Sequence, residues 1–290
     1  MKAKASGVLS SFSLEFIVDS NYLNGPEIES FLKKSSHNKV VLTDFLVMEA
    51  LKSVDIQKTR RSFKTLSRFP NQVITLKGTE KICGMSGRTK RLKRRLISNN
   101  PNSFKDLCTL IYSDDLRHKE AIENLLSEAD ATKKYFQQLE KNTSKEIIDH
   151  FTGLEKKFSA DEIGALRKGH SELPIGLIDK FFNLVSGLSR ATHKKHPTAG
   201  RWPKDHEWPN TFIFRNTLFM ALYFIAWLEK GSQKNTSLEK IRNDLVDLNF
   251  CTYATYFDGI LTKDHNCRDM FFNGNDILKN LIIPMHSEKR

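Results

Sequence analysis

Cysteine is scarce in this chain of 290 residues: Cys83, Cys108, Cys251 and Cys267 are widely scattered, and none forms a Cys-x-x-Cys pair. Such spacing gives no sign of a zinc ribbon or of a disulfide framework, and a reduced, cytoplasmic setting is the expectation. A long uninterrupted apolar run is also missing. The nearest approach, FIFRNTLFMALYFIAWL (212–228), is broken by Arg215 and Asn216 and spells a buried helix rather than a membrane span. The N-terminal MKAKASGVLSSFS carries two lysines but no apolar core of the kind a secretory leader needs. No membrane partner is therefore expected. Acidic residues are nearly absent from one segment. Residues 52–96 hold only Asp55 and Glu80 against 14 of the 46 Lys and Arg, so the whole net charge of +12 resides there and the remainder is neutral.

A positive field concentrated in this way attracts polyanions and makes their binding salt-dependent. Nucleic acid is the expected partner, with an acidic protein or simple solubility as alternatives. The densest part is SGRTKRLKRR (86–95), whose Arg88, Lys90, Arg91, Lys93, Arg94 and Arg95 are the candidate nucleic-acid contacts.

Along the chain the pattern is strand, helix, strand, helix. LEFIVD (14–19) is an apolar strand, GPEIESFLKK (25–34) repeats Ile28, Phe31 and Leu32 at helical spacing, and KVVLTD (39–44) is a second strand whose Thr-Asp can cap the helix FLVMEALKS. Two strands joined by one short helix suggest a parallel βαβ unit. NQVITLKG (71–78) supplies a third strand. The middle is helical: 113–142 carries an apolar stripe, Ser159 and Glu162 form a capping box, and 173–191 and 211–229 are further helices. HKKHPTAGRWPKDHEWPN (193–210) reads as an ordered loop. Then 237–257 is helical, DGILTKD (258–264) is a short strand, and LIIP (281–284) is expected to be a terminal strand.

A buried strand that ends on Asp19 invites two readings. Asp19 can cap a helix, or it can stand where parallel α/β sheets place their chemistry, at the C-terminal ends of the strands. Glu49 lies in the helix after the second strand, Asp244 and Asp247 share a helix face at i and i+3, and Asp264 ends a strand as Asp19 does. Carboxylates gathered at one sheet edge repel one another unless a cation compensates, and such hard oxygen ligands suit Mg²⁺ or Mn²⁺. Each acid also has a plain structural use: Glu49 can pair with Lys52 or Lys81, Asp247 can face solvent, and Asp264 can shape a turn.

FIVDSNYL (16–23), VVLTDFLVMEALK (40–52) and NDLVDLNFCTYATYFDGILTKDHN (243–266) together resemble the PIN-domain nucleases. The resemblance implies an α/β fold, a PIN-like parallel-sheet core flanked by helices. It covers residues 14–80 and 235–285, and 81–234 would be a large, mainly α-helical insertion. It implies that Asp19, Glu49, Asp247 and Asp264 are the catalytic acids, with Asp244 as the substitute for Asp247 and all five as candidate metal ligands. Asn21 and Thr262 would support them, and Asp258 would be a further acid. The implied activity is metal-dependent endoribonucleolytic hydrolysis of single-stranded or structured RNA by bound Mg²⁺ or Mn²⁺, with the basic segment as substrate cradle. Implied settings are a toxin, a defence effector or an RNA-processing factor, with pairing into a homo-oligomer; the charge alone points to an acidic inhibitory or regulatory protein docking on 52–96. A PIN-like scaffold without catalysis, binding RNA or an acidic protein through 52–96, is the alternative.

Other patterns are weaker. Arg190 and His196 have the Arg-x5-His spacing of HEPN-type ribonucleases, which use His as acid or base and need no metal. His193, His196 and His206 offer a poor zinc set. A phosphatase using the strand-end Asp as nucleophile would normally carry a second acid two residues on, where this chain has Asn21. Trp202 and Trp208 are the best aromatic candidates to stack on a base, although packing of their own loop explains them as well.

Overall fold

The computed structural model describes residues 13–113, 115–138, 140, 144–168, 175–232 and 236–287; the N-terminal MKAKASGVLSSFS lies almost wholly outside them. The protein is a mixed α/β fold with a four-stranded, all-parallel sheet flanked by helices, in strand order β3-β2-β1-β4.

Strand β1 (Glu15–Val18) leads through a 3₁₀ turn into α1 (Pro26–Lys34), with Pro26 at the first helical turn, where its missing N–H costs nothing. Strand β2 (Lys39–Leu42) follows, and its parallel register pairs Phe16 with Val40 and Ile17 with Val41. Ile17, Val18, Val40, Val41 and Leu42 are all buried, as expected of a sheet covered on both faces. Thr43 then caps α2 (Asp44–Leu51), its Oγ1 accepting the Leu46 N–H at 3.1 Å. Asp55 caps α3 (Ile56–Phe63), and β3 (Val73–Thr75) runs parallel to β2.

A long helical passage separates β3 from the last strand. It comprises α4 (Thr79–Cys83), α5 (Leu92–Leu96), α6 (Ser103–Tyr112), α7 (Lys119–Gln138), α8 (Ser144–Glu155), α9 (Ala160–Lys168), α10 (Ile175–Lys195) and α11 (Phe212–Glu229). The Ser159–Glu162 capping box forms, with the Ser159 N–H donating to Glu162 Oε2 at 2.6 Å and the Glu162 N–H to Ser159 Oγ at 3.1 Å. Helix α11 is apolar enough to cross a membrane by length and composition, yet Leu218, Phe219, Phe224 and Leu228 are buried inside the fold. It packs on α10, on α12 (Leu238–Ala254) and on α13 (His265–Ser287). Phe104, Ile111, Phe212 and Phe219 from this passage share one apolar core with the sheet residues Ile17, Val40 and Val73. Strand β4 (Gly259–Leu261) closes the sheet beside β1, pairing Ile17 with Ile260 and Val18 with Leu261.

One expected element is different. LIIP (281–284) is not a strand but part of α13, which continues through it. A run of four apolar residues suits a helix as well as a strand, and here Leu278 and Leu281 join the cluster of Val185, Phe214 and Leu218. The loop expected over 193–210 also starts later, because α10 runs to Lys195.

Candidate active site

The sheet sets the stage by ending β1 and β4 side by side. Asp19 follows β1 and is buried, 3% exposed. It precedes the 3₁₀ turn Ser20–Tyr22 without capping it by its side chain. Its Oδ2 instead accepts the Thr262 hydroxyl at 2.7 Å, and its Oδ1 takes the Ser20 hydroxyl at 3.3 Å. Thr262, just past β4, also accepts the Asp264 N–H at 3.0 Å, so one hydroxyl ties the two strand-end acids together. Asn21 secures the same junction, its Oδ1 accepting the Lys263 N–H at 3.0 Å.

Asp264 caps α13, with Oδ1 accepting the Cys267 N–H at 3.1 Å. Its structural use is therefore realised through one oxygen. From α12 come Asp244 and Asp247, one helical turn apart. Asp244 is already compensated: the Tyr223 hydroxyl donates to it at 2.9 Å and Lys240 Nζ lies 3.0 Å away. Asp247 is half-buried and has no hydrogen bond or ion pair among the described residues. Glu49, from α2, meets Lys52 at 3.5 Å through Oε1, and its buried Oε2 has no hydrogen-bond partner.

Asp247 feels the other four acids. Burial, then the charges of Asp19, Asp264, Asp244 and Glu49, pushes the Asp247 carboxyl up to about 8. Burial also raises Asp19, against the lowering effect of the Thr262 hydroxyl. The Tyr223 hydroxyl is held well above its usual value by burial and by Asp244. Four segments far apart in sequence thus deliver negative charge to one sheet edge.

The fit to a cation follows from this donor set. Carboxylate oxygens, one of them buried without a partner, match the hard-ligand preference of Mg²⁺ and Mn²⁺. Among the described residues, no three His, Cys, Asp or Glu side chains stand in a ready coordinating group. The acids are gathered within electrostatic reach, and side-chain rotation would have to complete a coordination shell.

A second edge carries the positive charge. Lys93 pairs with Glu15 at the start of β1 and lies 5.4 Å from the centre of the Phe257 ring, just before β4. Arg91, Lys93 and Arg94 share a surface hollow with Glu15, Thr255 and Tyr256. Arg95 folds back onto Ser86 and Arg88, donating to the Ser86 carbonyl at 3.0 Å. Lys90 is exposed. The structure does not bring these residues to the acids: β1, rising about 3.3 Å per residue, separates the two edges by roughly 10 Å. Asp258 belongs to the basic edge as well, its Oδ2 accepting the Glu15 N–H at 2.7 Å, so it is not a further acid of the cluster.

The remaining candidates are engaged elsewhere. Arg190 lies over the Trp208 and Trp202 rings at 5.2 and 6.0 Å, and His196 Nδ1 faces the Thr198 hydroxyl at 3.1 Å. The Trp208 indole donates to Ser189 on α10 at 2.8 Å, packing the loop down. Asp44, which sequence reasoning passed over, is a second carboxylate just after a buried strand. Thr79 occupies both of its oxygens, donating by its N–H at 2.6 Å and its hydroxyl at 2.7 Å. Tyr223 and Lys240 were passed over too, although the i to i+4 spacing of Lys240 and Asp244 was a usable signal. No protein-family model, curated protein or solved structure matches the chain.

Proposed function

We propose that the protein is a PIN-like, metal-dependent endoribonuclease that hydrolyses phosphodiester bonds at the acidic edge of its sheet. The observation that carries this reading is the convergence of Asp19, Glu49, Asp247 and Asp264 at the C-terminal ends of parallel strands, close enough for Asp247 to be held near 8. Uncompensated carboxylates destabilise a fold, and a site that accumulates them is a functional candidate for that physical reason. Asp19, Glu49, Asp247 and Asp264 would hold Mg²⁺ or Mn²⁺, with Asp244 flanking them. A bound divalent ion supplies an activated water and charge stabilisation at phosphate.

The chain's own groups divide the remaining work. Thr262 fixes the orientation of Asp19 and, through the Asp264 N–H, the spacing of the two strand-end acids. Asp264 is anchored at the first turn of α13, so its side chain is held by backbone rather than by a mobile partner. Asp247 keeps its proton near neutrality, so cation binding there releases that proton and strengthens as pH rises. Lys52 and Lys240 each sit on an acid and offer positive charge to an approaching phosphate.

The test is cleavage of end-labelled single-stranded RNA by the wild type and by Asp19→Asn, in Mn²⁺, Mg²⁺ or EDTA. Cleavage that requires the metal and is lost in the variant supports the reading. Metal-independent cleavage surviving in the variant transfers the chemistry to Arg190 and His196. Tight binding without cleavage supports a second reading, a binding scaffold, which the separation of the basic edge from the acids favours.

A further inference from the structure

The buried apolar residues fall into three clusters. Phe212 belongs to the core shared with the sheet, Phe151, Leu154 and Phe224 to a second that α8 and α9 build on α11, and Ala221 to a third that α11 makes with α10 and α13. All five residues line one pocket, where the clusters meet without closing and about 300 Å³ is left between α8, α10 and α11. Leu184 and Leu188 of α10 complete its apolar wall. Protein interiors hold few voids larger than a water molecule, because open space deprives its lining of contacts. An apolar cavity of about 150 Å³ stays dry and takes up a benzene ring, so about twice that volume suits two fused rings.

We infer that this pocket binds an uncharged, largely apolar small molecule, about two fused rings in size, which hydrogen-bonds through one polar group to Asn216 and Asn249. The inference goes beyond the nuclease reading, since none of the five acids lines the pocket. The lining sets the charge of the ligand. Among the described residues no Lys, Arg, Asp or Glu borders the pocket, in a chain with 46 basic and 34 acidic residues. A carboxylate or phosphate entering there would be buried without a partner. The lining also sets where a polar group goes. Asn216 of α11 reaches Asn249 Oδ1 of α12 at 3.5 Å and Thr252 Oγ1 at 3.4 Å. Both distances exceed the usual range for N–H···O, about 2.7–3.2 Å, so a ligand oxygen can compete for this amide. The neighbouring hydroxyls are engaged. Thr217 donates to the Ile213 carbonyl at 2.7 Å, and Thr79 bonds to Asp44 and to Tyr253, each at 2.7 Å. His150 and Thr192 line the pocket from exposed positions and mark its mouth.

The test titrates 2-naphthol into the full chain by calorimetry, with naphthalene and 2-naphthoate as competitors. At about pH 7.5 a histidine is ordinarily neutral and only the carboxylate probe is charged. The expected result is one saturable 2-naphthol site per chain. Naphthalene should compete about fivefold more weakly, for want of one hydrogen bond, and 2-naphthoate at least about tenfold more weakly, because its charge would be buried unpaired. Leu188→Trp fills the pocket from a half-buried position on α10 and should abolish 2-naphthol binding while keeping or raising the melting temperature. Asn216→Leu should lower 2-naphthol to the affinity of naphthalene. A folded Leu188→Trp protein that binds 2-naphthol like the wild type would overturn the inference. So would a wild type without saturable binding, or one for which 2-naphthoate competes as well as naphthalene. If Leu188→Trp does not fold by its thermal melt, Thr192→Trp closes the mouth from an exposed position instead, with the same loss expected.

Discussion

Replacing Asp247 by asparagine should make the metal-free protein more stable, by an amount that grows with pH. Folding carries this carboxyl from 3.8 to about 8. Between those values the unfolded chain has released a proton that the folded chain keeps. Stability is therefore undiminished below pH 3.8, falls as pH rises, and is fully reduced once pH passes about 8. A shift of about four units at 1.36 kcal/mol each sets a ceiling of about 6 kcal/mol. Asp247 is only half-buried, and an effective dielectric near 20 is realistic for such sites, so a gain of about 2–4 kcal/mol at about pH 8.5 is the expectation. At about pH 4 the gain should be well under 1 kcal/mol. Urea denaturation in EDTA reads this directly. With a slope of about 3 kcal/mol per molar, the midpoint of the variant should lie roughly 1 M above the wild type at the higher pH and nearly coincide with it at the lower. Adding Mn²⁺ at about a hundred times its dissociation constant should return about 2.7 kcal/mol to the wild type and much less to the variant. Midpoints that differ equally at both pH values would refute the claim that burial and the neighbouring carboxylates crowd Asp247.

Two further outcomes check the architecture around the site. Gly274→Ala places a methyl group 2.3 Å from Cε1 and 2.5 Å from Cζ of the buried Phe219. Overpacking of about 1–3 kcal/mol should outweigh the gain in helix propensity of about 1 kcal/mol and lower the melting temperature; a higher melting temperature would disprove this packing of α13 on α11. Replacing Arg91 and Arg94 together by alanine should flatten the log–log salt dependence of single-stranded RNA binding by about 1.4, about 0.7 for each phosphate no longer neutralised, while the Mn²⁺-induced shift in melting temperature stays as in the wild type. An unchanged slope would take RNA off the basic edge.

Much of the sheet was legible because burial on both faces leaves a plain trace. Phe16-Ile17-Val18 and Val40-Val41-Leu42 are continuous apolar runs ended by polar residues, and parallel pairing follows from the single short helix between them. The order of the acids was legible too, since each follows a strand or sits at helical spacing. Whether a carboxylate is free was not. Asp19 and Asp44 look alike in sequence, each just past a buried strand, yet Thr79 takes both oxygens of Asp44, and that contact spans 35 residues. The position of the basic segment was equally hidden. Charge density fixes that it attracts anions, but its place is set by Ile97 bridging to Leu76 and by Lys93 pairing with Glu15. The contact of Tyr223 with Asp244 exists only because α11 packs against α12, which no local pattern encodes. LIIP shows the limit of periodicity itself, since a run of four apolar residues is too short to choose between strand and helix.

The hydrogen bond from Thr262 to Asp19 joins residues 243 positions apart. On a ribosome adding about 5–20 residues per second, the chain between them takes roughly ten to fifty seconds to appear. For nearly all of that interval Asp19 has no β4 beside it; Asp247 is made only near its end, and Asp264 just after it. The edge can gather its charge only after Gly259 has paired with Phe16. A nascent chain, or one stopped before β4, therefore carries the first acids without the site. If it cuts RNA as proposed, the protein would in this way be inert beside the message that encodes it until Asp264 has been made.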